Sequence, residues 1–243
     1  MEKQFTSPTV YFLQEGRENL RECLNIAFQS AKQQNVSKII IFTAKGEGVR
    51  IALDSFRPQE EFSHIQLVAV TFPQGMSFTD KAGNALEVEI PPTEVQFFRE
   101  NNVSIIRAHM PLDPITPFYK HKGMLGQDLS LVCEALNMFG GSMSLCVQAI
   151  TMACDAGHVA LGEHVIALTS DTAILAQASN TARMLGELVI REVLCKPAVL
   201  TISRREVSEK LPTQMRLEMK SDVKALPSVS ETISKKSPPD EKS

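Results

Sequence analysis

The stretch Lys38-Ile39-Ile40-Ile41-Phe42-Thr43-Ala44-Lys45-Gly46-Glu47-Gly48 decides the fold class of this chain. Ile39 to Phe42 are apolar without alternation. Such a run suits a strand buried on both faces, as in parallel sheets covered by helices. Gly46 and Gly48 interrupt it. Val49, Ala52, Leu53 and Phe56 then follow at i, i+3, i+4 and i+7, the spacing of one buried helical face, and Pro58 closes that helix. A buried strand, a glycine turn and an amphipathic helix in this order make up half of a βαβ unit.

The same alternation extends in both directions. Upstream, Val10 to Leu13 reads as a short strand that turns at Glu15-Gly16. Asn19 then opens a helix, with its side chain placed to accept from the first-turn N–H groups and Glu22 completing a capping box. Leu20, Cys23, Leu24, Ala27 and Ala31 mark the buried face. Downstream, Ile65 to Thr71 is the next buried strand. The polar segment Gly75 to Glu89, with Asp80 to Asn84 at its centre, reads as an exposed loop or hairpin. Pro91-Pro92 starts a third helix, and Ser104 to Ala108 is a fourth strand.

Pro111, Pro114 and Pro117 make a stiff connection. A helix over Met124 to Phe139 follows, with Leu125, Leu129, Val132, Leu136 and Phe139 on one side and Gly140-Gly141 at its end. Ser144 to Asp155 has the apolar density of a strand, but Ala149, Met152, Ala153 and the stop at Gly157 favour a buried helix, which is the reading adopted. Val165 to Leu168 and Ala173 to Ala178 flank a turn at Thr169-Ser170-Asp171-Thr172. Leu188 to Leu194 is the last strand before Lys196-Pro197.

Strands alternating with helices imply right-handed crossovers, with helices on both faces of a mostly parallel sheet. The closely spaced late strands predict an antiparallel edge. From Ser203 onward charges of both signs, Ser and Pro dominate. Such a segment cannot bury enough apolar surface to offset its ordering entropy. The expected organisation is an α/β domain over residues 1–202 and a disordered charged tail over 203–243.

Composition narrows the function classes. A net charge of −3 gives no general attraction to nucleic acid or anionic lipid, and a chain with no Trp and two Tyr lacks stacking platforms for single strands. No window holds the 18 or more apolar residues of a membrane span. Met1 to Phe5 lacks a signal-peptide hydrophobic region. The expectation is a soluble cytoplasmic protein with neither nucleic-acid nor membrane partners, and the sequence is compatible with a homo-oligomer. The five cysteines form no CxxC pair and lie in apolar runs, as reduced core residues do. The five histidines show no HxH or HExxH spacing, so no metal site is expected. His121 lies in the basic cluster Lys120-His121-Lys122, which reads as a solvated loop. No GxSxG and no nucleophile with an evident base appears, so no catalytic residues are assigned.

In open α/β sheets, ligands bind beyond the carboxyl ends of the strands. That rule selects four loops. Thr43, Ala44, Lys45, Gly46 and Gly48 run from a buried strand into a helix N-terminus, where free N–H groups favour an anion, although Glu47 adds an opposing charge. The same residues also suit a purely structural turn. Gly16 to Asn19 offers Arg17 as a phosphate or carboxylate partner and Asn19 as a polar contact or a cap. Thr71 and Phe72 end a strand, with the ring placed either for a planar ligand or for the core. Thr169, Ser170, Asp171 and Thr172 form a hydroxyl-rich turn suited to phosphate or to a simple hairpin.

The motifs in their order along the chain resemble a known family. They are Gly16-Arg17-Glu18-Asn19, Phe42-Thr43-Ala44-Lys45-Gly46, Val68-Ala69-Val70-Thr71, Ile90-Pro91-Pro92, Ile105-Ile106-Arg107, Leu125-Gly126, Thr151 to Gly157, Asp171-Thr172-Ala173 and the strand before Pro197. Together they are similar to the stand-alone relatives of the pyruvate kinase C-terminal domain, small uncharacterised prokaryotic proteins, over roughly residues 10 to 197.

The resemblance implies a three-layer α/β/α sandwich with a mixed sheet. It implies no pyruvate kinase activity, because the catalytic residues of that enzyme lie in a barrel domain this chain lacks. It also implies a phosphate loop at Thr43 to Gly48. For the stand-alone relatives a phosphorylated planar ligand such as flavin mononucleotide (FMN) is plausible. The chain departs from the family pattern at Ala44 or Lys45 and at Gly48, where hydroxyls are usual, and at Thr169-Ser170, where glycines are usual. The expected function is therefore a small-molecule binding domain for a phosphorylated or nucleotide ligand. The alternatives are a flavin-dependent oxidoreductase at the same site and a ligand-free protein-interaction module.

Overall fold

Lys38–Phe42 forms β2, an interior strand of the sheet, and its side chains are buried on both faces from Ile39 to Phe42. The structure is a computed structural model, and it describes residues 6–79, 85–112 and 129–198. The expectations for the tail from Ser203, the loop at Asp80 to Asn84, the stiffness at Pro114 and Pro117, the Leu125-Gly126 motif and the His121 cluster lie outside the described residues.

The remaining strands of the main sheet are β1 (Val10–Phe12), β3 (Gln66–Thr71), β6 (Ser104–Arg107), β7 (His164–Leu168), β8 (Ala173–Gln177) and β9 (Val189–Pro197). A separate antiparallel hairpin pairs β4 (Ser77–Thr79) with β5 (Ala85–Glu87), the hairpin alternative for the polar segment. The order in the seven-stranded sheet is β1-β9-β8-β7-β2-β3-β6. β2 pairs in parallel with β3 (Ile40 opposite Val68) and with β7 (Ile41 opposite Leu168). β8 alone runs against its neighbours β7 and β9. The predicted antiparallel edge is thus corrected: the reversed strand is interior. Parallel β1 closes that side by pairing with β9, Val10 opposite Cys195. Local pattern records the hairpin between β7 and β8 but not the return of the first strand to the last one.

Alternation along β2 and β3 divides the apolar side chains between two cores. Ile39, Ile41, Leu67 and Ala69 meet Leu20, Leu24 and Phe28 of α1 (Leu20–Gln34), Val49 of α2 (Glu47–Ile51), Leu53 and Phe56 of the π-turn that continues it (Ala52–Phe56), and Phe98 of α3 (Pro92–Glu100). Phe28 and Phe56 stack with centroids 4.8 Å apart. Ile40, Phe42, Val68 and Val70 meet Met143, Val147 and Ile150 of α5 (Met143–Asp155) on the other face. Each of the Ile, Leu, Val, Phe and Met side chains fully buried among them contributes about 1.5–3 kcal/mol of apolar transfer. Two helical layers around one sheet make the α/β/α sandwich, and Ser144 to Asp155 is the buried helix anticipated from Ala149, Met152 and Ala153.

α4 (Leu129–Asn137) precedes α5 and packs through partly buried Leu136. Phe139, expected on its buried side, is exposed because it lies past the helix end at Asn137, where helical spacing no longer places it. α6 (Met184–Glu187) is a single turn before β9. Among the described residues no helix is long and apolar enough to cross a membrane.

Candidate functional site

All six co-directed strands of the main sheet end on the same side, and β2 and β7 are adjacent there although distant in sequence. The chain leaves β2 into α2 and leaves β7 into the turn before β8. These diverging exits leave a crevice, as they do at switch points of open sheets. A cleft of about 180 Å³ lies there. It is lined by Arg17, Thr43, Ala44, Lys45, Gly48, Phe72, Thr169 and Ser170 among the residues expected from sequence, and by Leu20, Phe42, Glu47, Ser142 and Leu145 besides. Three separate loops and a strand end are therefore brought to one place.

The Thr43 to Gly46 turn is held from within. The Thr43 N–H extends the ladder to Val70 O at 2.9 Å, and its Oγ1 accepts the Gly46 N–H at 3.0 Å. Accepting that bond leaves the hydroxyl proton of Thr43 free to donate. Gly46 has φ 90°, and a Cβ there would lie 2.9 Å from the Phe98 ring, so this position requires glycine. Gly48 brings α2 against the sheet, where a Cβ would be 3.1 Å from Ile41 Cγ2.

The β7–β8 turn is built differently. Asp171 is buried: Oδ2 accepts the Gly16 N–H at 3.1 Å and Oδ1 accepts the Thr172 hydroxyl at 3.0 Å. Thr172 Oγ1 in turn accepts the Ser142 N–H at 3.0 Å. This chain of bonds fixes the loop carrying Arg17 and the start of α5 onto one turn. Asp171 and Thr172 thus position the cleft and do not line it. Thr169 is 4% exposed, yet its Oγ1 has no hydrogen-bond partner, although the residue lines the cleft. Thr71 Oγ1 is also buried and unpartnered, but Thr71 does not line the cleft.

Asn19 is corrected in role. It sits at the N-cap of α1 with helical φ and ψ and makes no capping bond; its Nδ2 donates to Gln14 O at 2.7 Å. The 3₁₀ turn Arg17–Asn19 already starts the helix, so the capping geometry is not available at Asn19. Phe72 meets Phe42 edge-on at 4.9 Å and Phe78 at 5.2 Å, and it also lines the cleft. Glu47, read from sequence as an obstacle, lies 4.0 Å from Arg17, with the two side chains 54% and 70% exposed. Lys45 completes the charged lining.

Ser142 and Leu145 were not anticipated. The signal available in the sequence was Gly140-Gly141: Gly141 has φ 61°, and a Cβ there would collide with Thr172 Oγ1 and lie 2.7 Å from Pro197 Cδ. A glycine required by close approach marks the place where α5 meets the β7–β8 turn.

Outside the cleft, the thiols of Cys23 and Cys195 meet at 3.4 Å. That contact, followed by burial, pushes the Cys23 thiol well above its ordinary range. Burial does the same to Cys146. Protonated buried thiols are poor nucleophiles, and none of the five cysteines is in a disulfide. Among the described residues no group of three or more His, Cys, Asp or Glu is arranged to hold a metal ion.

No family model matches the chain. Among solved structures, the chain is similar to a pyruvate kinase of Cryptosporidium parvum, at 12% identity and a TM-score of 0.32. The match takes in 66% of this chain and 22% of that one. The chain therefore aligns with about a fifth of that enzyme's length.

Proposed function

We propose that the protein is a small-molecule binding domain of the pyruvate-kinase-C-terminal type, without pyruvate kinase activity, that takes a phosphorylated ligand in the cleft between β2 and β7. The observation that carries this reading is the Thr169 hydroxyl, buried and unpartnered at a cleft that also holds Arg17 and Lys45. Buried polar atoms are nearly always bonded, so an orphaned hydroxyl on a residue that lines a cleft marks a place where a ligand oxygen can supply the partner once the side chain turns toward it. Arg17 and Lys45 supply positive charge on one side, Ser142, Ser170 and Thr43 supply hydroxyls, and Phe72, Leu145 and Leu20 supply apolar wall. That combination suits an anionic head on a small carbon skeleton.

The size of the cleft bears on the ligand. About 180 Å³ lies below the range of about 300–1,000 Å³ usual for drug-sized ligands. A phosphate with a few attached carbons fills it. Flavin mononucleotide would seat its phosphate here, with its ring outside the cleft.

The test is thermal unfolding of the full chain with inorganic phosphate, small phosphate esters and flavin mononucleotide, together with the absorption spectrum of the purified protein. Phosphate esters are expected to raise the midpoint, and Lys45→Ala is expected to reduce the rise. A midpoint unmoved by every phosphorylated compound at millimolar concentration, in a colourless preparation, overturns the proposal.

A further inference from the structure

The cleft contains charges of both signs, and a plain phosphate uses only one of them. Arg17 and Lys45 favour an anion, but Glu47 lines the same small space. Arg17 and Glu47 approach to 4.0 Å, the outer limit of an ion pair, and no hydrogen bond joins them. Neither side chain has another charged or hydrogen-bonded partner among the described residues. Lys45 has none at all there, so the lining is incompletely neutralised.

Glu47 also has a structural role available to it. It is the first residue of α2, and an acidic group there complements the helix dipole. That role needs neither Arg17 nor a position on the cleft wall. A phosphate drawn to Arg17 and Lys45 would compete with Glu47 for the guanidinium. The released carboxylate would then face the ligand, and a ligand of negative charge alone would be repelled by it. A ligand that carries a cationic group on a short arm beside its phosphate would pair with it instead.

We propose that the cleft selects a small phosphorylated amine, its phosphate held by Arg17, Lys45 and Thr169 and its ammonium held by Glu47. This rests on the phosphate-binding reading given above and adds the substrate class and the residue that discriminates it. Binding is a rearrangement of ion pairs: Arg17 moves from Glu47 to the phosphate, and the ligand ammonium takes its place.

Calorimetric titration of the full chain with O-phosphoethanolamine and with propyl phosphate tests the proposal. These esters are near-isosteric and differ mainly in ammonium against methyl. The wild-type protein is expected to bind phosphoethanolamine about threefold more tightly, the scale of one solvent-exposed ion pair. Glu47→Gln is expected to abolish that preference and to tighten propyl phosphate. Equal affinities in the wild-type protein, or a preference that survives Glu47→Gln, overturn the assignment of the amine while leaving phosphate binding standing. Absence of binding by both esters overturns phosphate binding and the amine together. Should the variant fail to fold, the wild-type comparison alone decides.

Discussion

Two hydroxyl-bearing turns face each other across the cleft, and they use their hydroxyls in opposite ways. In the turn after β2, Thr43 Oγ1 is engaged by the Gly46 N–H of its own loop. In the turn after β7, Thr172 and Asp171 are engaged with Ser142 and Gly16, and the Thr169 hydroxyl has no partner. The residues look alike in sequence, as hydroxyls clustered near turns. The difference lies in which of them hold the backbone and which are left for something else. Substitutions in the two turns should therefore separate stability from binding.

The largest loss is expected at Gly46→Ala. The left-handed φ costs about 1–2 kcal/mol for a residue with a Cβ, and the clash with the Phe98 ring adds about 1–3 kcal/mol. A total near 3 kcal/mol lowers the melting midpoint by roughly 6–12 °C in a chain of this size. Urea unfolding measures it, and a change below about 1 kcal/mol would show that the loop rearranges freely.

Asp171→Ala comes next. It leaves a backbone donor at Gly16 and the Thr172 hydroxyl without their acceptor, at a cost of about 2 kcal/mol. Because it unties the Arg17 loop and the start of α5 from the same turn, it should also weaken phosphate binding, although Asp171 does not line the cleft. A variant with wild-type affinity would mean that these loops hold their places without the tie. Thr43→Val is smaller, about 1 kcal/mol, the usual net worth of one buried hydrogen bond.

The legible part of this molecule follows the range of the forces involved. The unbroken Ile39 to Phe42 run specified a central strand because burial on both faces leaves no alternation to read. The turn at Thr169 to Thr172 was legible because apolar strands flank it directly. The interior position of β8 was not, because strand direction within a sheet is set by the return of β9 beside β1, a contact between the two ends of the domain. The site divides in the same way. Loops after buried strands were predictable from the rule for strand ends, and eight of those residues meet at the cleft. Ser142 and Leu145 arrive from a helix on the far face, placed by the Thr172 bond. Asn19 has the residue type of a cap but not the backbone, since the preceding 3₁₀ turn already occupies the helix start.

The smallest expected change in stability carries the sharpest contrast. Thr169→Val replaces a hydroxyl that has no partner with a methyl of nearly the same size. Removing an unsatisfied buried polar atom avoids its desolvation cost, so stability should hold or rise by up to about 1 kcal/mol. Thr43→Val, the same chemical change across the cleft, should lower it. Phosphate binding should respond in the reverse sense of this ranking: weakened by Thr169→Val through loss of its unpartnered hydroxyl, despite an unchanged or higher melting midpoint. Both quantities come from one set of melts with and without a phosphate ester. If Thr169→Val destabilises the chain as Thr43→Val does, the hydroxyl has a structural partner in solution. The difference between the two turns would then disappear, and with it the main support for a ligand at this end of the sheet.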